Sequence, residues 1–168
     1  MPDLVGERVR LRPIREDDVA PLRAIRTAPE VARWWGVLED GFPLADEPTA
    51  TRFAIVDDGA VAGMIQFAEE QEPDYRHASI DLFLDPARHG KGLGTDAVRT
   101  LARHLIDEGG HHRITIDPAV QNVAAVRAYE KAGFRAVGVM RSSWRDPDGV
   151  WRDSLLMELV ATPERAKP

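Results

Sequence analysis

The 168-residue sequence predicts a mixed α/β domain whose sheet is mostly antiparallel and flanked by helices. Period-two segments recur along the chain, Asp-Gly pairs join two sets of them, and a strand–helix–strand unit in the middle predicts local parallel pairing. The length suits a single domain spanning residues 1–168.

Taken in order, Arg8 to Ile14 alternate apolar and basic residues, the pattern of a half-exposed strand. Asp17 and Asp18 open a short helix through Val19, Leu22 and Ile25, and Val31 to Trp35 reads as a second. Gly36 to Pro48 is a proline-containing acidic loop. Phe53–Val56 and Val61–Phe67 read as a hairpin through Asp58-Gly59, and Ala78–Leu84 as the next strand after an acidic connector, Glu69 to Arg76. Thr95 to Ile106 places Val98, Leu101, Ala102, Leu105 and Ile106 on one helical face, ended by Gly109 and Gly110. Arg113–Ile116 is a short strand, and Asn122–Ala132 a helix ended by Gly133. Phe134–Met140 and Val150–Val160 are strands joined through Asp148-Gly149, completing what reads as an antiparallel meander, and the tail is Thr162 to Pro168.

Composition narrows function. There are no cysteines, which excludes disulfides, thiolate metal sites and a cysteine nucleophile and fits a cytoplasmic protein. No apolar run reaches the ~20 residues of a membrane helix, and the first residues show no secretory leader. A net charge of −6 disfavours nucleic acid and anionic lipid and favours cationic small molecules. The histidines show no metal-ligand spacing, so no metal is expected.

The chemistry concentrates in two segments. Arg88, His89, Gly90, Lys91, Gly92, Leu93, Gly94 and Thr95 join a strand to the long helix. Alternate glycines expose consecutive N–H groups at a helix N-terminus, with Arg88 and Lys91 adding charge, which makes a phosphate or pyrophosphate cradle or else a tight turn without ligand. The spacing fits neither the ATP-type P-loop nor the dinucleotide fingerprint. The second segment runs from Ile116 and Asp117 through Asn122, Ala125, Tyr129, Glu130, Lys131 and Gly133 to Phe134.

Together these segments resemble the GNAT superfamily of acetyl-coenzyme A N-acetyltransferases. Gly90-Lys91-Gly92-Leu93-Gly94 matches its pyrophosphate loop, and Asn122 to Phe134 its N-x-x-A-x-x-x-Y-E-K-x-G-F pattern. One departure is His89, where the family often carries Gln or Arg. The resemblance implies a splayed parallel strand pair at the centre of the sheet. Val31 to Gly36 with its tryptophan pair, Ile80-Asp81, Gly90 to Thr95 and Asp117-Pro118 also resemble the aminoglycoside 6'-N-acetyltransferases.

The resemblance implies acetyl-CoA as cosubstrate, held by Arg88 to Thr95, Asn122 and Tyr129, and an amine acceptor attacking the thioester directly. Asp117 is then the candidate base or amine anchor, and Tyr129 the proton donor to the leaving thiolate. Trp34, Trp35, Asp81 and Asp148 are candidate acceptor contacts, with Glu39, Asp40, Asp46, Glu47, Glu69, Glu70 and Glu72 as possible cleft walls. The residues alone also allow plainer roles: a turn at Asp117-Pro118, an N-cap at Asn122, a core tyrosine, and packed indoles with one facing the cleft. The expected reaction is aminoglycoside 6'-N-acetylation by a monomer or homodimer. Alternatives are acetylation of protein N-termini, lysines, polyamines or siderophore hydroxylysine, or a non-enzymatic acyl-CoA sensor or antibiotic-sequestering protein.

Overall fold

A computed structural model describes residues 1–45 and 50–161. Asp46, Glu47 and Pro48 of the first acidic loop, and the tail from Thr162, lie outside the described residues. The strands are β1 (Leu4–Val5), β2 (Arg10–Pro13), β3 (Ala50–Asp57), β4 (Ala60–Glu70), β5 (His77–Leu84), β6 (Arg113–Ile116), β7 (Arg135–Arg145) and β8 (Trp151–Val160). The α-helices are α1 (Val19–Thr27), α2 (Pro29–Trp35), α3 (Leu93–Asp107) and α4 (Val123–Lys131).

All eight strands form one sheet in the order β1-β2-β3-β4-β5-β6-β8-β7. Only β5 and β6 are parallel, as the crossover through α3 requires; the other pairs are antiparallel. The Asp58-Gly59 turn holds both residues at positive φ, 48° and 78°, which suits the twist of a two-residue hairpin. The end of the sheet is not a plain meander: β8 inserts between β6 and β7. Glu69 and Glu70 belong to β4 rather than to a connector, because they pair with Ala78 and His77.

Alternation along the central strands divides the core between the two faces. Ile65, Ile80 and Leu82 pack with Leu93, Val98, Leu101 and Leu105 of α3 and with Tyr129 and Ala132 at α4. Met64 and Phe83 point the other way, into a cluster with Leu22 and Ile25 of α1, Val31 of α2 and Phe42. Asp81 alternates with Ile80 and Leu82, so it belongs to the α1/α2 face.

One polar contact ties the N-terminus to α3. The Asp96 carboxylate, 4% exposed in the first turn of α3, accepts the N–H groups of Glu7, Arg8 and Val9 at 3.2, 2.7 and 2.9 Å. Gly6 allows this approach, since a Cβ there would fall 2.5 Å from an Asp96 oxygen. No helix among the described residues is long and apolar enough to cross a membrane.

Candidate active site

The glycine turn leads from β5 into α3. Gly90 and Gly92 hold φ at 77° and 78°, and Gly92 opens α3 without a side-chain cap. Among the described residues no acceptor takes the N–H groups of Gly90 to Thr95. A Cβ on Gly90 would meet nothing within 4 Å. Unpaired donors at the positive end of a 15-residue helix, facing open space, make an anion seat.

The seat is chiefly backbone. Arg88 donates to Asp57 at 2.6 Å, so its charge is already partnered. His89 Nε2 lies 3.2 Å from the Leu84 carbonyl, Leu93 is buried, and the Thr95 hydroxyl donates to the Ala128 carbonyl at 3.1 Å. Lys91 stays exposed, and its carbonyl accepts from Arg8 Nη1 at 3.2 Å. Arg8, which the sequence reading placed only in a strand, thus stands beside the turn.

The carboxylates lie where the parallel strands part. β5 and β6 pair only at Ala78–Ile114 and Ser79–Thr115, although β5 continues to Leu84. Asp81 sits on the freed length of β5, and Asp117 is the first residue past β6. The chain after Asp117 is pinned to β8, since Leu155 N–H donates to the Pro118 carbonyl at 2.8 Å and Val120 N–H to the Asp153 carbonyl at 3.1 Å.

Both carboxylates are exposed to solvent, so their desolvation is partial. That desolvation first, and repulsion from Asp117 second, push the Asp81 carboxyl up to about 7. The Leu82 N–H, 3.0 Å from Asp81 Oδ1, and the Arg26 cation act in the opposite direction. Asp117 is also raised, by desolvation. Tyr129, 8% exposed, is held well above the ordinary phenol range by burial and then by Asp81 and Asp117, so it stays protonated. Asn122 caps α4, its Oδ1 accepting from Ala125 N–H at 3.3 Å.

The two tryptophans diverge, as adjacent helix positions must. Trp35 packs edge-on against Phe83 with centroids 5.2 Å apart. Trp34 lies 6.3 Å from Trp144 of β7, with the Arg33 guanidinium 4.3 Å from its ring. Beyond this bridge a cavity of about 400 Å³ is lined by Gly36 and Val37 on one side and Arg145 to Gly149 on the other. Asp148 lines it, whereas Asp146 is engaged by Arg152 at 2.7 Å and by Val150 N–H at 2.9 Å. Asp81 and Asp117 are not among its lining residues, but Trp35 and Phe83 connect its wall to β5.

Of the acidic loops, Glu39 acts electrostatically on Arg26. Glu69 is turned to His111 at 2.6 Å, and Arg76 clamps the Gly109 and Gly110 carbonyls, so the second connector sits at the end of β5 opposite the glycine turn. Sequence reading missed Arg26 and Trp144. Arg26 had a signal, because it lies four residues after Leu22 on the apolar stripe of α1.

The glycine turn, the parted strands and the two carboxylates make up the candidate site, and the comparisons with known proteins give the family. Residues 8–135 match the family described as acetyltransferase (GNAT) domain, and the chain belongs to that family. It is 31% identical over 167 residues to aminoglycoside N(6')-acetyltransferase type 1 of Klebsiella pneumoniae, covering 86% of this chain and 80% of that protein. A solved structure of AAC(6')-Ib in complex with paromomycin and acetyl-CoA superposes with a TM-score of 0.74 at 28% identity, over 96% of this chain and 99% of that one. RimJ of Mycobacterium smegmatis in complex with CoA-disulfide shares the fold, with a TM-score of 0.82 at 23% identity, over 99% of this chain and 90% of that one. The activity of this chain is acetyl transfer, with acetyl-CoA as its cosubstrate.

Proposed function

We propose that the protein acetylates the 6'-amine of aminoglycosides. The observation that carries this reading is the Asp81–Asp117 pair at the parted strands, and the Trp34–Trp144 contact and the Asp148-bearing depression add candidate acceptor contacts. Two carboxylates suit a cationic amine, and the relatives named above support the substrate class.

Acetyl-CoA, when bound, supplies the thioester carbonyl that the amine attacks and the thiolate that leaves. The free N–H groups of Gly90 to Thr95 hold its diphosphate, and the open edge of β5 past Ser79 offers backbone partners to the arm between diphosphate and thioester. Asp117 holds the acceptor as ammonium. Asp81, poised near neutral pH, takes the ammonium proton, so the base role moves from the expected Asp117 to Asp81. The freed lone pair forms the C–N bond as the C–S bond breaks. Tyr129, which keeps its proton, donates a hydrogen bond to the developing thiolate; the first ammonium proton leaves Asp81 through solvent, and the second, lost from nitrogen as the amide forms, passes through solvent to the thiolate, which departs as the thiol. Orientation of the two reactants supplies up to ~7–11 kcal/mol.

The test is thiol release from acetyl-CoA with kanamycin, spermidine and an alanine-terminated peptide. The reading expects kcat/KM for kanamycin to exceed the others by at least about tenfold. Release with spermidine or peptide but not kanamycin would replace the acceptor. Binding of acetyl-CoA and kanamycin without thiol release would make the protein a sensor or sequestering protein.

A further inference from the structure

Arg26 is 1% exposed on the last turn of α1. Its Nη2 donates to the Trp35 carbonyl at 2.7 Å and to that of Val37 at 3.5 Å, and its Nη1 to that of Gly36 at 3.1 Å. The guanidinium carbon lies 5.3 Å from the centre of the Trp35 ring, and Nε is buried without a partner. No carboxylate among the described residues is within ion-pair distance. A buried cation held by carbonyl dipoles and one indole face, with no carboxylate partner, is costly, and an apolar residue here would pack α1 on α2 at less expense. Its position explains what the charge does. The three carbonyls end α2, where the helix dipole is negative, and begin the Gly36–Val37 wall of the acceptor cavity. Gly36, at a φ of 73°, turns the chain out of the helix there.

We propose that Arg26 is a positioning residue of the acceptor site: it grips three consecutive carbonyls at the end of α2, sets the Gly36–Val37 wall opposite the Asp146–Gly149 tip, and stands as a fixed cation within electrostatic reach of Asp81. This rests on Asp81 being the base. The charged groups acting on Asp81 are Asp117 past β6 and Arg26 on α1, Tyr129 on α4 is itself acted on by Asp81, and those acting on Arg26 are Asp81 and Glu39. Arg26 is the cation among them, so its removal favours protonated Asp81 and moves the acid limb of the rate profile to higher pH.

The experiment compares Arg26→Gln and Arg26→Lys with the parent, using the amine that the thiol-release screen selects. Arg26→Gln raises KM for the amine about tenfold, leaves KM for acetyl-CoA within about twofold, and moves the acid limb up by about half a pH unit or more. Arg26→Lys keeps the acid limb at the parent's pH but still raises KM for the amine, because an ammonium cannot fork across three carbonyls. Should Arg26→Gln fail to fold, as read by circular dichroism, the Lys variant decides alone by its KM split. Equal rises in both KM values, or no rise in KM for the amine, overturn the proposal. Asp81→Asn separates this from the underlying reading: if it keeps the acid limb and the rate, Asp81 is not the base; if it loses both while the Arg26 variants behave as the parent, only the Arg26 role falls.

Discussion

Asp117, just past β6, repels the charge of Asp81 on β5 across the opening that begins where Ser79 and Thr115 make the last parallel pair. Desolvation first and this repulsion second raise Asp81, and the proposed mechanism gives the two carboxylates different roles at neutral pH. The kinetic consequence is specific. In the parent, kcat/KM for the amine rises with pH through about 7 as Asp81 loses its proton. Asp81→Asn abolishes that limb and lowers kcat by over about tenfold. Asp117→Asn removes the repelling charge, moves the limb to lower pH, and lowers kcat/KM by over about tenfold without changing KM for acetyl-CoA. A limb that stays in place in Asp117→Asn would uncouple the pair.

The same carboxylate bears on stability. In the native state Asp81 holds its proton up to about 7, whereas the unfolded chain releases it near 3.8. Between those values the native state binds more protons, so raising the pH through this window costs stability, and the full penalty is present above it. Asp81→Asn therefore unfolds at higher urea than the parent at pH 8, and the advantage shrinks towards pH 4. Parallel pH dependences for the two proteins would contradict this.

Gly90 tests the anion seat. Its φ of 77° makes alanine strained, at about 1–2 kcal/mol, while no protein atom stands in the way of the methyl group. Gly90→Ala is folded, and its KM for acetyl-CoA is at least about tenfold higher, since the methyl group occupies the space facing the diphosphate. Isothermal titration with CoA reads the same loss directly, and unchanged affinity would place the diphosphate elsewhere.

The tryptophans should separate by phenotype. Trp35→Ala removes the ring packed on Phe83 and under Arg26, and lowers stability by roughly 3 kcal/mol in urea unfolding. Trp34→Ala costs less stability but breaks the contact with Trp144, and raises KM for the amine with KM for acetyl-CoA unchanged. The reverse assignment of the two phenotypes would exchange their roles.

Asp18 anchors the entry to α1. It takes both Arg12 Nη atoms, at 2.6 and 2.8 Å, together with Arg15 N–H at 2.7 Å, and is 2% exposed. The Arg12 hydrogen bonds hold its carboxyl below the ordinary 3.8, so its stabilisation is complete above that value and fades as pH falls through the native pKa. Asp18→Ala leaves Arg12 without its partner and costs about 3–5 kcal/mol at pH 7. That difference between variant and parent narrows in acid.

Local signals carried most of the fold. β-branched residues located Arg113–Ile116, a short and largely buried strand, and Asn122 and Gly133 bracket α4 by their capping chemistry. Leu4–Val5 was missed because two residues hold no periodicity, and the placement of β8 between β6 and β7 is a pairing choice that no local pattern encodes. At the site, the glycine turn was legible because positive φ needs glycine. Arg88 read as a phosphate ligand, but its partner Asp57 lies 31 residues away in sequence, on β3. The division of labour between Asp81 and Asp117 depends on desolvation and on Arg26, quantities that exist only once α1 is packed on the sheet.

The Asp96 carboxylate joins residues 87 to 89 positions apart in the chain. Closing so long a loop is slow, and its reward arrives only when both ends are present. The Arg8 contact to the Lys91 carbonyl depends on the same closure. On the ribosome, then, the link between the first two strands makes this contact only once more than half of the polypeptide has been synthesised.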